Sequence, residues 1–390
     1  MKKEDNAGMD EKFMFFLLAY MEAGTFANLN KVVQNFGKIS DFFSIEPETL
    51  VKRGIISTYQ YSCIKKVMDR EDELKNIFNN LKGDNINFVT FNDAEFPEKL
   101  RMIPNPPLSL FFKGHLPESF MPAVAIIGSR NCDEYGSEMA KYFSDSLSEA
   151  GIQIISGMAM GIDGISGEAA IGKRGKSYAV LGTGVDICYP EANFNLYEKL
   201  ISSGGVISEY PPGTPGLKSH FPMRNRIISG LSDALLVIQA KIRSGTSITV
   251  DCALEQGKDV YAIPGRLSDD LSAGTNKMLQ DGARLVREPM DIIEGVMEYY
   301  SQLSIDFKKE GKRLMSENIK EKILEGLSDG KKKILKCLDE ENPVYIDEIL
   351  EKTGIEYGSM VKMIFELETQ QLIFEKGNNY FVKSFIKPCK

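Results

Sequence analysis

Residues 123–161, AVAIIGSRNCDEYGSEMAKYFSDSLSEAGIQIISGMAMG, decide the fold. Val124–Ile127 is an unbroken apolar run of strand length, Gly136–Ala150 carries helical periodicity, and Ile152–Ser156 is a second apolar run. A strand apolar on both faces is covered on both, and parallel neighbours are joined through a crossover helix. The unit repeats downstream in the strand candidates Ser177–Leu181, Val206–Ser208, Ala234–Ile238 and Val260–Ile263, with a helical stretch at Thr246–Gln256. The alternation predicts an α/β fold, a Rossmann-like doubly wound parallel sheet.

Outward from this centre the patterning changes. Residues 1–85 read as short helices punctuated by Gly24, Gly37, Pro47 and Gly54, a small N-terminal domain of SAM-like or helix-hairpin-helix-like kind. From Asn92 to Pro122 prolines gather around the strand-like Leu108–Phe112, an ordered lead-in that belongs with a central domain spanning 86–300. Residues 301–330 form a charged helical linker. Residues 331–390 give three amphipathic helices and two short strand candidates around Gly377-Asn378, the shape of a winged helix. Its presumptive recognition helix, Tyr357 to Gln371, sets Lys362 against Glu366 and Glu368, whereas phosphate contacts need cations. A structural or protein-interaction role is expected there.

A net charge of −8 and a pI near 5.2 exclude a general positive field, so an anionic partner needs a local basic site. The six cysteines are scattered without a C-x-x-C pair, which speaks against zinc and disulfides and for a reduced, cytoplasmic protein. The apolar run Phe13–Tyr20 is shorter than the ~20 residues of a spanning helix, and no cleavage-site pattern follows it. It predicts a buried helix, with neither membrane partner nor signal peptide.

Open α/β sheets bind ligands outside the carboxyl ends of their strands, where loops enter helix N-termini. The first strand ends in Gly128, Ser129 and Arg130: flexible backbone, a hydroxyl and a cation at one anion-friendly corner. The second ends in Ser156 and Gly157, with Asp163 further on as an expected helix cap. Gly182 and Thr183 follow the third, ahead of Tyr189, whose ring either stacks on a ligand or packs. The densest cluster is His220–Gly230, where Phe221, Arg224, Asn225 and Arg226 supply an aromatic, two guanidinium forks and an amide. Arginine pairs with phosphate oxygens and an aromatic face holds an unstacked base, a composition suited to a single strand. Ser244, Gly245 and Thr246 begin the next helix with small donors, and Pro264-Gly265 and Gly274-Thr275-Asn276 come after the sixth strand candidate. Together these turns predict a phosphate or nucleotide crevice.

Other motifs do not hold. Gly175-Lys176-Ser177 imitates the end of a P-loop but enters a strand instead of leaving one, so ATP hydrolysis is not supported. Gly326-Leu327-Ser328-Asp329-Gly330 has G-x-S-x-G spacing in a charged linker, without a strand-to-helix elbow. The first turn lacks G-x-G-x-x-G, which disfavours NAD, and only two histidines are present, which leaves histidine or metal catalysis poorly supplied. No cofactor is implied.

The ordered segments AIIGSRNCDEYG, ISGMAMGIDG, AVLGTGVDICYPEAN, ISEYPPGTPG, HFPMRNRIISGLSDALLVIQA, RSGTSITVDCALEQGKDVYAIPG and GTNKMLQDGARLV closely resemble the DprA/Smf family over residues 123–286. The resemblance implies a non-enzymatic protein that coats incoming single-stranded DNA and loads the RecA recombinase onto it in natural transformation. It also implies a homodimer through the Rossmann-like domain. Carried over, the family's DNA pocket falls at Gly128, Ser129 and Arg130, with Phe221, Arg224, Asn225 and Arg226 as the opposing wall. Two departures stand out: Ser166-Gly167 replaces the family's usual Ala-His pair, and Thr246 stands within the usual Ser-Gly-Ser-Leu segment. Two other classes remain open on the residues alone. One is a nucleoside-monophosphate phosphoribohydrolase, whose P-G-G-x-G-T turn is here Arg243-Ser244-Gly245-Thr246; the other is an effector-sensing winged-helix transcription regulator.

Overall fold

The computed structural model describes residues 10–22, 36, 38–297, 328–339, 343–369, 372–377 and 380–383. The chain divides into two compact units, Met1–Tyr300 and Ser301–Lys390.

The first unit is built on a nine-stranded sheet: β1 (Asn87–Thr90), β2 (Ser109–Gly114), β3 (Ala123–Ile127), β4 (Gln153–Ser156), β5 (Ser177–Val180), β6 (Gly205–Ser208), β7 (Ala234–Val237), β8 (Asp259–Ala262) and β9 (Arg284–Leu285). Their order is β1-β2-β6-β5-β4-β3-β7-β8-β9. From β6 to β9 every pairing is parallel, and β2 joins β6 antiparallel, as does β1 to β2. The six apolar runs read from the sequence are thus six adjacent parallel strands, each within a residue or so of its expected start.

Side chains alternate between the two faces, as strand geometry demands. Val124, Ile126, Ile154 and Leu236 meet Ala140, Phe143 and Leu147 of the helix Glu134–Glu149 on one face. Ala125, Ile127, Ile155, Val180 and Leu235 meet Ile227, Ile228 and Val250 on the other, from the helices His220–Leu231 and Gly245–Glu255. The chain leaves β3 toward β4, β5 and β6, then returns to β7 on the opposite side of β3. That reversal opens a crevice at the carboxyl ends of β3 and β7, the switch point where such sheets take ligands.

The proline-rich lead-in is more than a connector, because its β1 and β2 extend the sheet antiparallel. Short N-terminal helices cover that end. Phe13–Ala19 and Met21 lie buried in the helix Glu11–Glu22, and among the described residues no helix is long and apolar enough to cross a membrane. Phe16 is fully buried, with ring centroids 5.1 Å from Phe78, 5.8 Å from Phe88 and 5.9 Å from Phe111, so it ties helix to sheet.

The second unit has helices Asp329–Cys337, Ile346–Thr353 and Tyr357–Thr369 and a three-stranded antiparallel sheet. The sheet runs β10 (Val344–Tyr345), β12 (Tyr380–Lys383), β11 (Ile373–Gly377), and adds β10 to the two expected strands. Ile334, Ile349, Met360, Leu367 and Phe381 form its core, while Glu366 takes Lys331 at 2.9 Å. The charged linker up to residue 327, with the start of the G-x-S-x-G match, lies outside the described residues, as do Gln371 and the Asn378 turn.

Deleting the Phe16 ring leaves a cavity where helix and sheet meet. Phe16→Ala is expected to cost about 3–5 kcal/mol, read as a lower urea midpoint in equilibrium unfolding.

Candidate nucleic-acid interface

The loop after β3 is shaped by its backbone before any side chain enters. Ser129 donates its N–H to the Gln239 carbonyl at 2.8 Å and accepts from Ile162 N at 3.2 Å, so it is tied to the loops following β7 and β4. Gly161, at φ 74°, caps the helix Ile162–Ala169; a Cβ there would stand 2.3 Å from the Ser129 carbonyl oxygen. Only glycine permits that approach and that φ. Gln239 is fully buried and donates from its amide to Asp133 at 2.9 Å; Asp133 in turn caps the helix Glu134–Glu149 through Gly136 N. Arg130 emerges from this braced loop into solvent.

Below the rim lies a buried polar centre. Asp163 was expected to cap its own helix; instead its carboxylate turns inward and accepts from Gly157 N at 3.1 Å, and from the N–H groups of Gly128 and Ala159. Burial pushes this carboxyl above its ordinary range, against the opposing pull of Arg224 and those three N–H groups. Arg224 is 5% exposed and donates to Gly157 O at 3.0 Å and to the Val180 carbonyl. Burial lowers it to about 10, which leaves it a cation at neutral pH. Gly157 sits between the two charges, where a Cβ would be 2.7 Å from both Arg224 Nη2 and Asp163 Oδ2.

These positions correct the expected wall. Arg224 and Arg226 do not present guanidinium forks to solvent: Arg226 is 8% exposed and grips Glu209 at 2.6 and 2.8 Å. Two further hydroxyls are spent internally, Ser156 on Ile126 O at 3.0 Å and the fully buried Thr183 on Ile187 O at 2.8 Å. All four brace the rim from within. The groups at its surface are Gly128, Ser129, Arg130, Phe221 and Asn225, each half-buried or exposed. Ser244, Gly245 and Thr246 stand at the start of Gly245–Glu255, the helix packed on His220–Leu231; Gly245 faces open space and Thr246 is buried.

Phe221 organises the surface cluster. A Cβ on Gly182 would reach 2.9 Å from its ring, so the missing side chain makes its seat. Arg130 and Arg224 lie over the ring at 6.0 and 5.9 Å, and Tyr189 flanks it at 5.2 Å. His220 is buried, with Nδ1 3.1 Å from Gly182 O and its ring stacked on Tyr210 at 4.0 Å. Sequence reasoning missed three supports: Gln239, Asn193, whose amide donates to Met158 O at 2.9 Å, and the inward turn of Asp163. The positive φ of 54° at Met158 belongs to the same loop.

Fold and rim define a Rossmann-like α/β protein whose carboxyl-edge loops are locked from beneath and offer a cation, an aromatic face and bare backbone above. Residues 87–297 match the family model for DNA recombination-mediator protein A, and the chain belongs to that family. It is 43% identical over 201 residues to the DNA processing protein DprA of Streptococcus pneumoniae, covering 52% of this chain and 71% of that one. The X-ray structure of DprA from that organism superposes with a TM-score of 0.62 at 32% identity, over 73% of this chain and 98% of the other. DNA processing protein A of Helicobacter pylori, whose structure addresses its single-stranded DNA binding mode, matches with a TM-score of 0.50 at 27% identity, over 55% of this chain and 97% of that protein.

Gly157→Ala drives a methyl between Arg224 and Asp163. The expected cost is about 1–3 kcal/mol, seen as a lower midpoint in urea unfolding, because neither buried partner has room to retreat.

Proposed function

We propose that this chain binds unpaired DNA along the carboxyl rim of its central sheet, protects it, and loads the RecA recombinase onto it in natural transformation and recombination. The observation that carries the reading is Arg130, exposed and 6.0 Å over the Phe221 ring, beside the backbone of Gly128 and Ser129. A guanidinium and backbone amides take phosphate, and the ring takes a base. The Helicobacter pylori relative, by its description, binds single-stranded DNA, and the Streptococcus pneumoniae relative processes DNA.

In this reading Gly128, Ser129, Arg130, Phe221 and Asn225 meet the strand, with Ser244 and Gly245 nearby, while Gly157 and Gly182 are buried and act from beneath, one between Arg224 and Asp163 and the other as the seat of Phe221. Ser156, Thr183, Arg224, Arg226 and Thr246 hold these in place. The protein is a binder and not an enzyme: His220 commits Nδ1 to the Gly182 carbonyl, and Asp163 is enclosed by backbone N–H groups. It works in the cytoplasm as a homodimer through its Rossmann-like domain (86–300), with an N-terminal helical domain (1–85), a linker (301–330) and a winged helix (331–390) that serves protein contact more than duplex recognition.

Phe221→Ala is expected to weaken oligo-dT binding by about 1–3 kcal/mol. Arg130→Ala should weaken it too and lower the slope of log K against log salt by about 0.7, the value for one phosphate on a single strand. Arg130 is the cleaner probe, since removing Arg224 would also disturb the buried centre. Gel shifts across a salt series check both, and wild-type affinity in the two variants would refute the site. Incubation with nucleoside monophosphates should release no free base.

A further inference from the structure

Tyr189 lies in the loop after β5 and is 47% exposed, so part of its ring is open to a ligand. Its centroid is 5.2 Å from that of Phe221 and the rings are tilted by 36°. That separation leaves no room for a base between them. Gly216, from the loop after β6, backs both: a Cβ there would be 3.5 Å from Phe221 Cζ and 3.5 Å from Tyr189 Cδ2. The rings therefore share a support and keep other surface for a ligand. Phe221 is thus the shared neighbour of both groups, with Arg130 6.0 Å over its ring and Tyr189 at its side.

We propose that Tyr189 is a second base-stacking position, holding the nucleobase next to the one on Phe221 and setting the path of the strand from Arg130 across Phe221 toward the loop after β5. The inference rests on the single-strand reading above and adds a residue and a direction to it. Two tilted rings hold neighbouring bases splayed instead of stacked on each other, so the site favours flexible unpaired DNA over a duplex. Because every base has a π-face, such a ledge is indifferent to sequence.

The chain contains no tryptophan, which makes a direct optical test available. Tyr189→Trp introduces a lone indole whose emission should be quenched as oligo-dT saturates the protein, at the concentration where gel shifts report binding. Tyr189→Ala should weaken oligo-dT binding by roughly fivefold or more, the low end for loss of one stacked base. The salt slope should stay unchanged, because no phosphate contact is lost. Tyr189→Phe should bind within about twofold of wild type, and on an abasic oligodeoxynucleotide the alanine penalty should disappear. An unquenched indole, or alanine-variant affinity equal to wild type, overturns the second position while Phe221→Ala and Arg130→Ala still support the first. A wild-type chain that fails to hold oligo-dT overturns both.

Discussion

The carboxylate of Asp163, enclosed beneath the loops that follow β3 and β4, accepts N–H groups from Gly157, Gly128 and Ala159 while the Arg224 cation faces it across Gly157. Arg224 in turn donates to the carbonyls of Gly157 and Val180, the latter at the end of β5. Three successive strand ends are thereby held by one pair of charges. A buried carboxylate and guanidinium tolerate burial only when their hydrogen-bonding capacity is met, so each fixes the backbone that satisfies it. The rim above inherits that rigidity, as a ligand site needs its supporting shell locked.

This constraint explains why residues whose types suggest DNA contact are hidden. Arginines are expected at a phosphate site, and two of them are indeed within six residues of His220, yet Arg224 and Arg226 anchor the helix His220–Leu231 to β4, β5 and Glu209. What they deliver to the surface is the position of Phe221, about one helical turn before Arg224 and seated on Gly182. The same division of labour holds at the first loop, where the buried Gln239 holds the exposed helix cap Asp133 from within and Arg130 stands outside.

The sheet was legible because its strands are apolar on both faces, and a run such as Ala234–Val237 has few other ways to be buried. β1 and β9 were not: Asn87–Thr90 has a single apolar pair, and Arg284–Leu285 is two exposed residues paired to β8 by position alone. At the site, glycine and arginine identities were visible, but their direction was not. Whether a helix presents Arg224 outward or inward depends on which carbonyls lie beneath it, and Gly157 O and Val180 O come from strands 67 and 44 residues away in the chain. Sequence spacing carries no information about such a meeting. The inward turn of Asp163 failed for the same reason, since an Asp in the first turn of a helix has the same local signature whether it caps that helix or faces a neighbouring loop.

A chain of net charge −8 gripping a polyanion needs a reason for the strand to settle where it does. Arg130 and Arg224 flank one ring; burial is what chiefly depresses the basicity of Arg224, and the nearby Arg130 cation adds to it, so the two repel. Among the described residues Arg130 has no carboxylate in ion-pair reach, whereas Arg224 has Asp163 as its buried counter-charge. The cation left without a counter-charge is therefore Arg130, the exposed one. In the proposed site a phosphate at Arg130 would relieve the repulsion locally, while the net negative charge of the chain disfavours adhesion elsewhere. On the proposed reading, attraction is thus confined to the place where the Phe221 ring also offers a face to a base.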